Sequence, residues 1–129
     1  MEELLVQLLL GAPGLTALVE TRVKWALLPQ GALRPNVALH LVAGERHYTA
    51  GRPDGLKASM VQIDAWANNF TGALQVAREV EAQLSGYRDA PAGSGFDGIF
   101  LRAIRSDVDK TGAEILHRVS QDFEIWTTA

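Results

Sequence analysis

The segment from Lys57 to Tyr87 most limits what this chain can fold into, because its apolar pattern changes period partway along. Its first part alternates apolar and polar residues, which is the pattern of a strand with one buried face. Further on, apolar residues recur at steps of three and four: Ala73, Leu74, Ala77, Val80 and Leu84. This second spacing predicts an amphipathic helix. A strand that leads into such a helix places the helix on a sheet.

Each half of this segment has its own details. In the strand, Val61 and Ile63 share the apolar face, and Asp64 lies on the opposite face. Trp66 places a large apolar ring on that polar side. Thr71 is suited to accept the first free amides of the helix as an N-cap, and Gly86 stands where a helix often ends.

The rest of the chain supplies a short helix and further strands. Leu4 to Leu10 predicts an N-terminal helix that ends near Gly11, and residues 15–19 are compatible with one more turn. Apolar alternation predicts four more strands, over Val23 to Leu27, Asn36 to Val42, Gly98 to Val108 and Glu114 to Thr127. The last two are close in sequence, which favours a hairpin.

These elements predict an α+β fold with a mainly antiparallel sheet. The N-terminal helix and the central amphipathic helix are expected to pack on one face of that sheet. With 129 residues, the chain is expected to form a single domain over residues 1–129. The final strand alternates cleanly, with Arg118, Ser120, Asp122 and Glu124 on its polar side, so one face of the sheet should meet water.

Composition and charge exclude several classes of protein. The formal net charge of -3 gives no reason to expect DNA or an anionic membrane as a binding partner. The absence of cysteine excludes disulfides and thiolate metal sites. Glu2 and Glu3 precede the apolar run at Leu4 to Leu10, whereas a secretory signal carries positive charge there.

The sequence offers little catalytic chemistry, and no cofactor is expected. His40, His47 and His117 lack the spacing of a metal pair, so no metal site is predicted. Asp64, in the middle of a strand, would serve as a general base if it lay in a cleft. A solvated group or an ion-pair partner is the commoner role for a carboxylate at such a position. We therefore predict that the chain is not an enzyme.

Four local patterns occur together in a characteristic order. They are LLPQGALRPNVALHLV from Leu27 to Val42, GERHYTAGRPDGL from Gly44 to Leu56, VQIDAWA from Val61 to Ala67, and FDGIFLRAIRSDVD from Phe96 to Asp109 followed by HRVSQDFEIW. In this order and spacing the chain resembles the tail-completion, or tail-terminator, proteins of long-tailed phages of the siphovirus type. Similar proteins occur in phage-like gene transfer agents. The resemblance covers nearly the whole chain.

The resemblance implies a structural protein that forms a ring, typically a homohexamer, on the head-proximal end of the tail tube. Such a ring ends tube polymerisation and joins the tail to the neck or head. The implied partners are copies of the chain itself, the tail-tube protein and a neck or head-completion protein. DNA only passes through the pore, and no membrane is involved. The implied location is the tail or neck of the particle, which is assembled in the bacterial cytoplasm.

On this resemblance, the two long connections at residues 44–56 and 86–98 are expected to become ordered when they contact a partner. In the first of them Arg46, His47, Tyr48 and Arg52 are the candidate interface residues, because arginine and tyrosine are enriched in interfaces. Trp66 is a further candidate, since tryptophan often anchors subunit contacts. The alternative for Trp66 is packing in or beside the core.

Three other functions stay open at this stage. The chain could be a neck or head-completion protein rather than the terminator. It could be a small enzyme that uses Asp64 and a histidine from a neighbouring strand, which requires a concave pocket. It could also be a homodimeric α+β binding module that forms no ring.

Overall fold

A computed structural model describes residues 2–26, 34–47, 56–88, 96–110 and 115–128 of the chain. Within these ranges there are three helices and five strands. In chain order they are α1 (Glu2–Leu10), α2 (Pro13–Val19), β1 (Val23–Trp25), β2 (Asn36–His47), β3 (Leu56–Ala67), α3 (Phe70–Leu84), β4 (Phe96–Asp109) and β5 (Leu116–Thr128). The predicted α+β fold is confirmed.

The five strands form one sheet in the order β1-β2-β3-β5-β4. β1 pairs with β2 in parallel, and every other neighbouring pair is antiparallel. The predicted hairpin of the last two strands is confirmed, with β4 at the edge of the sheet. β5 lies between β3 and β4, so α3 crosses from one strand to another that runs in the same direction.

The core lies between α3 and one face of the sheet. Strand residues such as Ile63 and Phe123 are fully buried there against the apolar stripe of α3. The buried residues of that stripe are Ala73, Val76, Ala77, Val80 and Leu84. The predicted stripe included Leu74, which is only partly buried, and omitted Val76.

Of the two predicted ends of α3, the C-terminal one is correct and the N-terminal one is wrong. The predicted cap Thr71 is wrong, because the helix begins at Phe70 and Thr71 already lies in its first turn. Asn69 is the N-cap, and its side-chain oxygen accepts a hydrogen bond from the Gly72 amide at 2.6 Å. At the other end Gly86 adopts the left-handed conformation with φ of 77°, and the predicted stop is confirmed.

The N-terminal region forms two helices that both contribute to the core. α1 ends at Leu10, as predicted, and buries Leu5 and Leu9. Residues 15–19 extend into a separate helix, α2, which buries Leu15 and Val19. No described helix is long and apolar enough by itself to cross a membrane. α1 and α2 together reach the length and composition for a broken span, and they are bent by 89°.

The strands predicted over residues 36–42 and 98–108 are longer in the structure, whereas the last strand, predicted from Glu114 to Thr127, is Leu116–Thr128. β2 continues to His47 and β3 starts at Leu56, so both reach into the connection predicted over residues 44–56. Antiparallel pairing carries them there, since Arg46 stands opposite Ala58 and His47 opposite Lys57. Backbone pairing does not depend on side-chain alternation. The glycine-containing sequence at this point lacks that alternation, so it did not predict a strand.

Candidate interaction surface

The sheet face that points away from the helices, called the outer face here, carries a lattice of polar side chains. The strand register sets its rows: Asp64 stands opposite Ser120, and Gln62 stands opposite Asp122. In the adjoining pair of strands Asp107 stands opposite Arg118. The polar face predicted for the final strand is therefore confirmed and extends over β3 and β4.

Asp64 is the centre of this lattice, and it is only 2% exposed although it lies on the outer face. Its Oδ1 accepts hydrogen bonds from Ser120 Oγ at 2.6 Å and from Gln62 Nε2 at 2.8 Å. His40 Nε2 lies 3.3 Å from Oδ2. These contacts engage both carboxylate oxygens, which is what a buried carboxylate requires.

An ion pair between β4 and β5 adjoins this centre. Arg105 donates to the two carboxylate oxygens of Asp122, at 2.7 and 3.2 Å. The hydrogen bond to Asp122 raises the pKa of the Arg105 guanidinium, because it favours the charged form. Arg105 also donates to Gln62 Oε1 at 2.9 Å. Since Gln62 donates in turn to Asp64, a continuous chain of hydrogen bonds runs from Arg105 to Asp64.

Two further arginines combine an ion pair with an aromatic contact. Arg102 donates to Glu124 Oε1 at 2.6 Å and lies over the Phe100 ring, 5.4 Å from its centroid. Arg118 forms an ion pair with Asp107 and lies over the Trp66 ring at 5.3 Å. Trp66 is therefore a packing platform for a guanidinium on the outer face.

The arginines on the described part of the outer face are paired with carboxylates. Three guanidiniums, those of Arg102, Arg105 and Arg118, each contact a carboxylate. The carboxylates of the lattice are those of Asp64, Asp107, Asp122 and Glu124. These three arginines therefore offer little to hold a nucleic-acid backbone, because binding to phosphate requires cations that are available to it.

A cavity of about 220 Å³ lies beside Trp66 at the end of this face. Its described lining residues are Trp66, Asp107, Val108, Asp109 and Arg118. Asp64 is not among them. The cavity is therefore framed by an ion pair and an indole ring, and the buried carboxylate lies outside it.

The geometry bears directly on whether Asp64 acts in catalysis. A histidine from a neighbouring strand does lie beside it, as the enzyme alternative required, and that histidine is His40. The Asp64 carboxylate, however, is closed off from solvent and accepts hydrogen bonds from Ser120 and Gln62. Arg118 Nη1 also lies 3.9 Å from Asp64 Oδ2, so the arrangement favours the ion-pair role over that of a general base. In the described ranges no group of three histidine or acidic side chains is placed to hold a metal ion.

The candidate interface residues that the structure describes lie at two separate places. Arg46 and His47 lie at the end of β2, opposite Ala58 and Lys57. Trp66 stands opposite Asn36, at the other end of the same pair of strands. Tyr48 and Arg52 lie outside the described residues. Trp66 is therefore separated from the predicted loop by the length of β2, and its interface role stays a prediction.

Exposed apolar residues on the strands were missed as candidates. Leu41 and Val42 on β2 and Ile104 and Val108 on β4 are all exposed. The sequence does carry apolar residues on both faces of β4, including Ile104. That pattern is typical either of a fully buried strand or of one that pairs with a partner, and alternation alone cannot distinguish them.

The fold and the outer face define a small α+β protein with a sheet face whose arginines are paired with acids. Comparison with protein families matches Tail completion protein gp17 over residues 3–128. The chain belongs to this tail-completion family, as the resemblance predicted, and has a structural role in the tail or neck of a phage-type virion.

Other comparisons concern the fold. A solved chain in the virion of a native gene transfer agent (GTA) particle is similar, with a TM-score of 0.74 and 21% sequence identity. The match covers 97% of this chain and 92% of that chain. No curated protein matches the chain.

Proposed function

We propose that the chain forms a ring on the head-proximal end of the tail tube, where it ends tube polymerisation and joins the tail to the neck. The family match over residues 3–128 carries this proposal, since it spans nearly the whole chain. The fold similarity to a chain of a gene transfer agent virion supports a place in a particle of that kind or in a phage.

A terminator has a simple physical task. A tube grows because each ring offers its successor a complementary face, so the last ring must match that face on one side and fail to repeat it on the other. The described part of the chain offers two unlike surfaces for this purpose. One is the helix side, and the other is the outer face with its paired arginines and acids.

The charge balance suits a ring through which DNA passes. Arg102, Arg105 and Arg118 are each tied to a carboxylate, so they are poorly available to phosphates. Basic walls would retain the DNA through release of its counterions. The net charge of -3 acts in the same direction.

The experiment that tests the proposal removes the chain from cells that make the particle. Electron microscopy should then show filled heads without attached tails, together with tubes of irregular length, and the wild-type chain supplied in trans should restore both features. Particles with tails of normal length and attachment in its absence would overturn the proposal.

A second measurement separates the terminator from a neck or head-completion protein. The purified chain is mixed with tail-tube protein in one sample and with neck protein in another, and each mixture is analysed by size-exclusion chromatography. A terminator should bind the end of assembled tubes directly. A chain that bound the neck protein and ignored tubes would be a neck component instead.

Arg46 and His47 at the end of β2, and Tyr48 and Arg52 in the sequence that follows, are proposed as contacts to the tube or the neck. Alanine at Arg46, Tyr48 and Arg52 should lower the yield of joined particles while the purified chain unfolds as the wild type does. Joining at wild-type yield would show that these three side chains are not contacts.

A further inference from the structure

The edge strand β4 is covered along its first half only. The Ile99 amide donates to Tyr87 O at 3.1 Å, and the Ile99 carbonyl accepts from the Gly86 amide at 2.8 Å. The turn after α3 therefore occupies the backbone groups that β4 directs away from β5 at this point. A register shift between Leu101 and Ala103 separates this half from the second one.

The second half, residues 103–108, is called the β4 edge segment. The Val108 amide donates to Asp107 Oδ1 at 2.8 Å, which shows that it points away from β5. Because backbone groups alternate in direction along a strand, the amides and carbonyls of Ile104 and Ser106 point the same way. Within the part of the chain that the structure describes, no strand pairs with this side of β4.

Charged side chains do not protect this edge. Arg105 and Asp107 belong to the segment, but each is drawn onto β5, by Asp122 and Arg118 respectively. Ile104 remains 52% exposed on the other face of the strand. An edge that pairs with no strand and carries exposed apolar side chains is a site where another strand adds, and soluble proteins usually cover or charge such edges.

The opposite edge of the sheet has a matching segment, residues 40–43, called the β2 edge segment. β1 ends at Trp25, and among the described residues the last hydrogen bond on this side is from the Ala26 amide to Leu39 O at 2.8 Å. Leu41 is the next residue to direct its backbone groups outward, by the same alternation. Its side chain is 53% exposed, and that of Val42 is exposed as well.

The two edge segments are complementary in direction and in face. Three successive antiparallel pairings make β2 and β4 run in opposite directions, so two copies side by side in the same orientation would pair them antiparallel. Leu41 stands opposite the buried Val61, and Ile104 stands opposite Gln121, which donates to Ala77 O of α3. Both exposed side chains therefore lie on the helix side of the sheet.

The two segments also lie in different rows of the sheet. The row that contains Ser106 continues through Val119 and Ala65 to Val37, where β1 already covers β2. Pairing the two free segments consequently shifts each copy along the strand direction relative to its neighbour. A stagger of this kind is what closure of a sheet into a ring requires.

We propose that the β4 edge segment of one copy pairs antiparallel with the β2 edge segment of the next, so that the sheet continues head to tail from copy to copy. This inference rests on the proposed function for the closed ring. A two-fold pairing of β4 with β4 is disfavoured because it would leave Leu41 and Val42 exposed. A head-to-tail contact satisfies both edges of every copy and closes when the rotation closes.

Cysteine capture tests the pairing, because the chain contains no cysteine of its own. One set of purified variants carries I104C, S106C or V108C, and a second set carries L41C or V42C. Each variant is oxidised alone and in pairwise mixtures at high concentration, and the products are separated on a non-reducing gel. The expected result is a disulfide dimer in mixtures of the two sets and none in any variant alone. A double variant with one cysteine from each set should give a ladder of larger oligomers.

The control is F70C, because Phe70 is exposed at the start of α3 and belongs to neither edge. Its mixtures with either set should give no dimer above background. Dimers from the β4 variants alone would establish two-fold pairing and overturn the inference. Capture between the two sets no better than with F70C would overturn it as well.

The same variants separate this inference from the proposed function when they replace the wild-type chain in particle-producing cells. If tail attachment requires the chain but no disulfide forms between the two sets, the edge pairing is contradicted and the proposed function is not. If disulfides form between the two sets but tails form normally without the chain, the proposed function is contradicted and the edge pairing is not.

Discussion

The two faces of the sheet are stabilised by different physics. On the helix side Phe123, Ile63 and Ile125 are fully buried among apolar neighbours, so burial of apolar area holds that face. On the outer face Asp64 is almost as inaccessible, yet its neighbours are Ser120 and other hydrogen-bond donors. Residues of one sheet can thus be equally buried while one face tolerates apolar exchange and the other depends on matched polar groups.

The largest expected effect lies on the helix side. Phe123→Ala removes the largest fully buried side chain and leaves a cavity between α3 and the sheet. The free energy of unfolding should fall by about 3–5 kcal/mol. Urea denaturation followed by circular dichroism measures it. A loss below about 1 kcal/mol would mean that the core collapses freely around the site.

The outer face should respond next. Asp64→Ala leaves the Ser120 hydroxyl and the Gln62 amide without their acceptor in a buried place. The loss should be about 1–3 kcal/mol in the free energy of unfolding. Asp64→Asn is the matched control, since it keeps an acceptor oxygen and should lose less. Equal losses for the two variants would contradict this expectation, because they would show that the retained oxygen and volume recover nothing and that the carboxylate charge or its second oxygen carries the effect.

A smaller effect on the free energy of unfolding is expected at the start of α3, where two residues compete for the role of N-cap. Asn69→Ala removes the side chain that accepts from the Gly72 amide and should lower the free energy of unfolding by about 1 kcal/mol. Thr71→Ala, inside the exposed first turn, should change it by less. The reverse order in thermal or urea unfolding would restore Thr71 as the cap.

The smallest effect on stability is expected at the free edge. Ile104→Ser should change the free energy of unfolding by no more than about 0.5 kcal/mol, because the side chain is already exposed. Ile99→Ser in the same strand is the control and should be strongly destabilising, since Ile99 is buried. If Ile104→Ser also weakened the monomer strongly, the edge would be part of the core.

Local periodicity explains which parts of the fold were predictable. Alternation located β3 and β5 and assigned their faces, since a strand places successive side chains on opposite sides whatever its neighbours are. The stop at Gly86 was equally local. The cap was not, because Asn69 and Thr71 are both suitable residues and the position where β3 ends selects between them.

The candidate site was less predictable than the fold. Composition singled out Arg46, His47, Tyr48 and Arg52 in a polar loop, and these stay predictions. Asp64 stands out in the sequence as a carboxylate within a strand, but its partners Ser120 and His40 lie on other strands and their approach depends on register. A search of the sequence for residues suited to contacts does not find unpaired edges, because strand order decides which strand has a free side.

The sequence alone determines the helices and strands, the faces they bury and the polar character of one side of the sheet. These features depend on residues within a few positions of one another. The insertion of β5 between β3 and β4, the dry environment of Asp64 and the exposed edge at residues 103–108 depend on contacts between distant segments. Those contacts minimise the free energy of the whole chain, so no short stretch of sequence contains enough information to specify them.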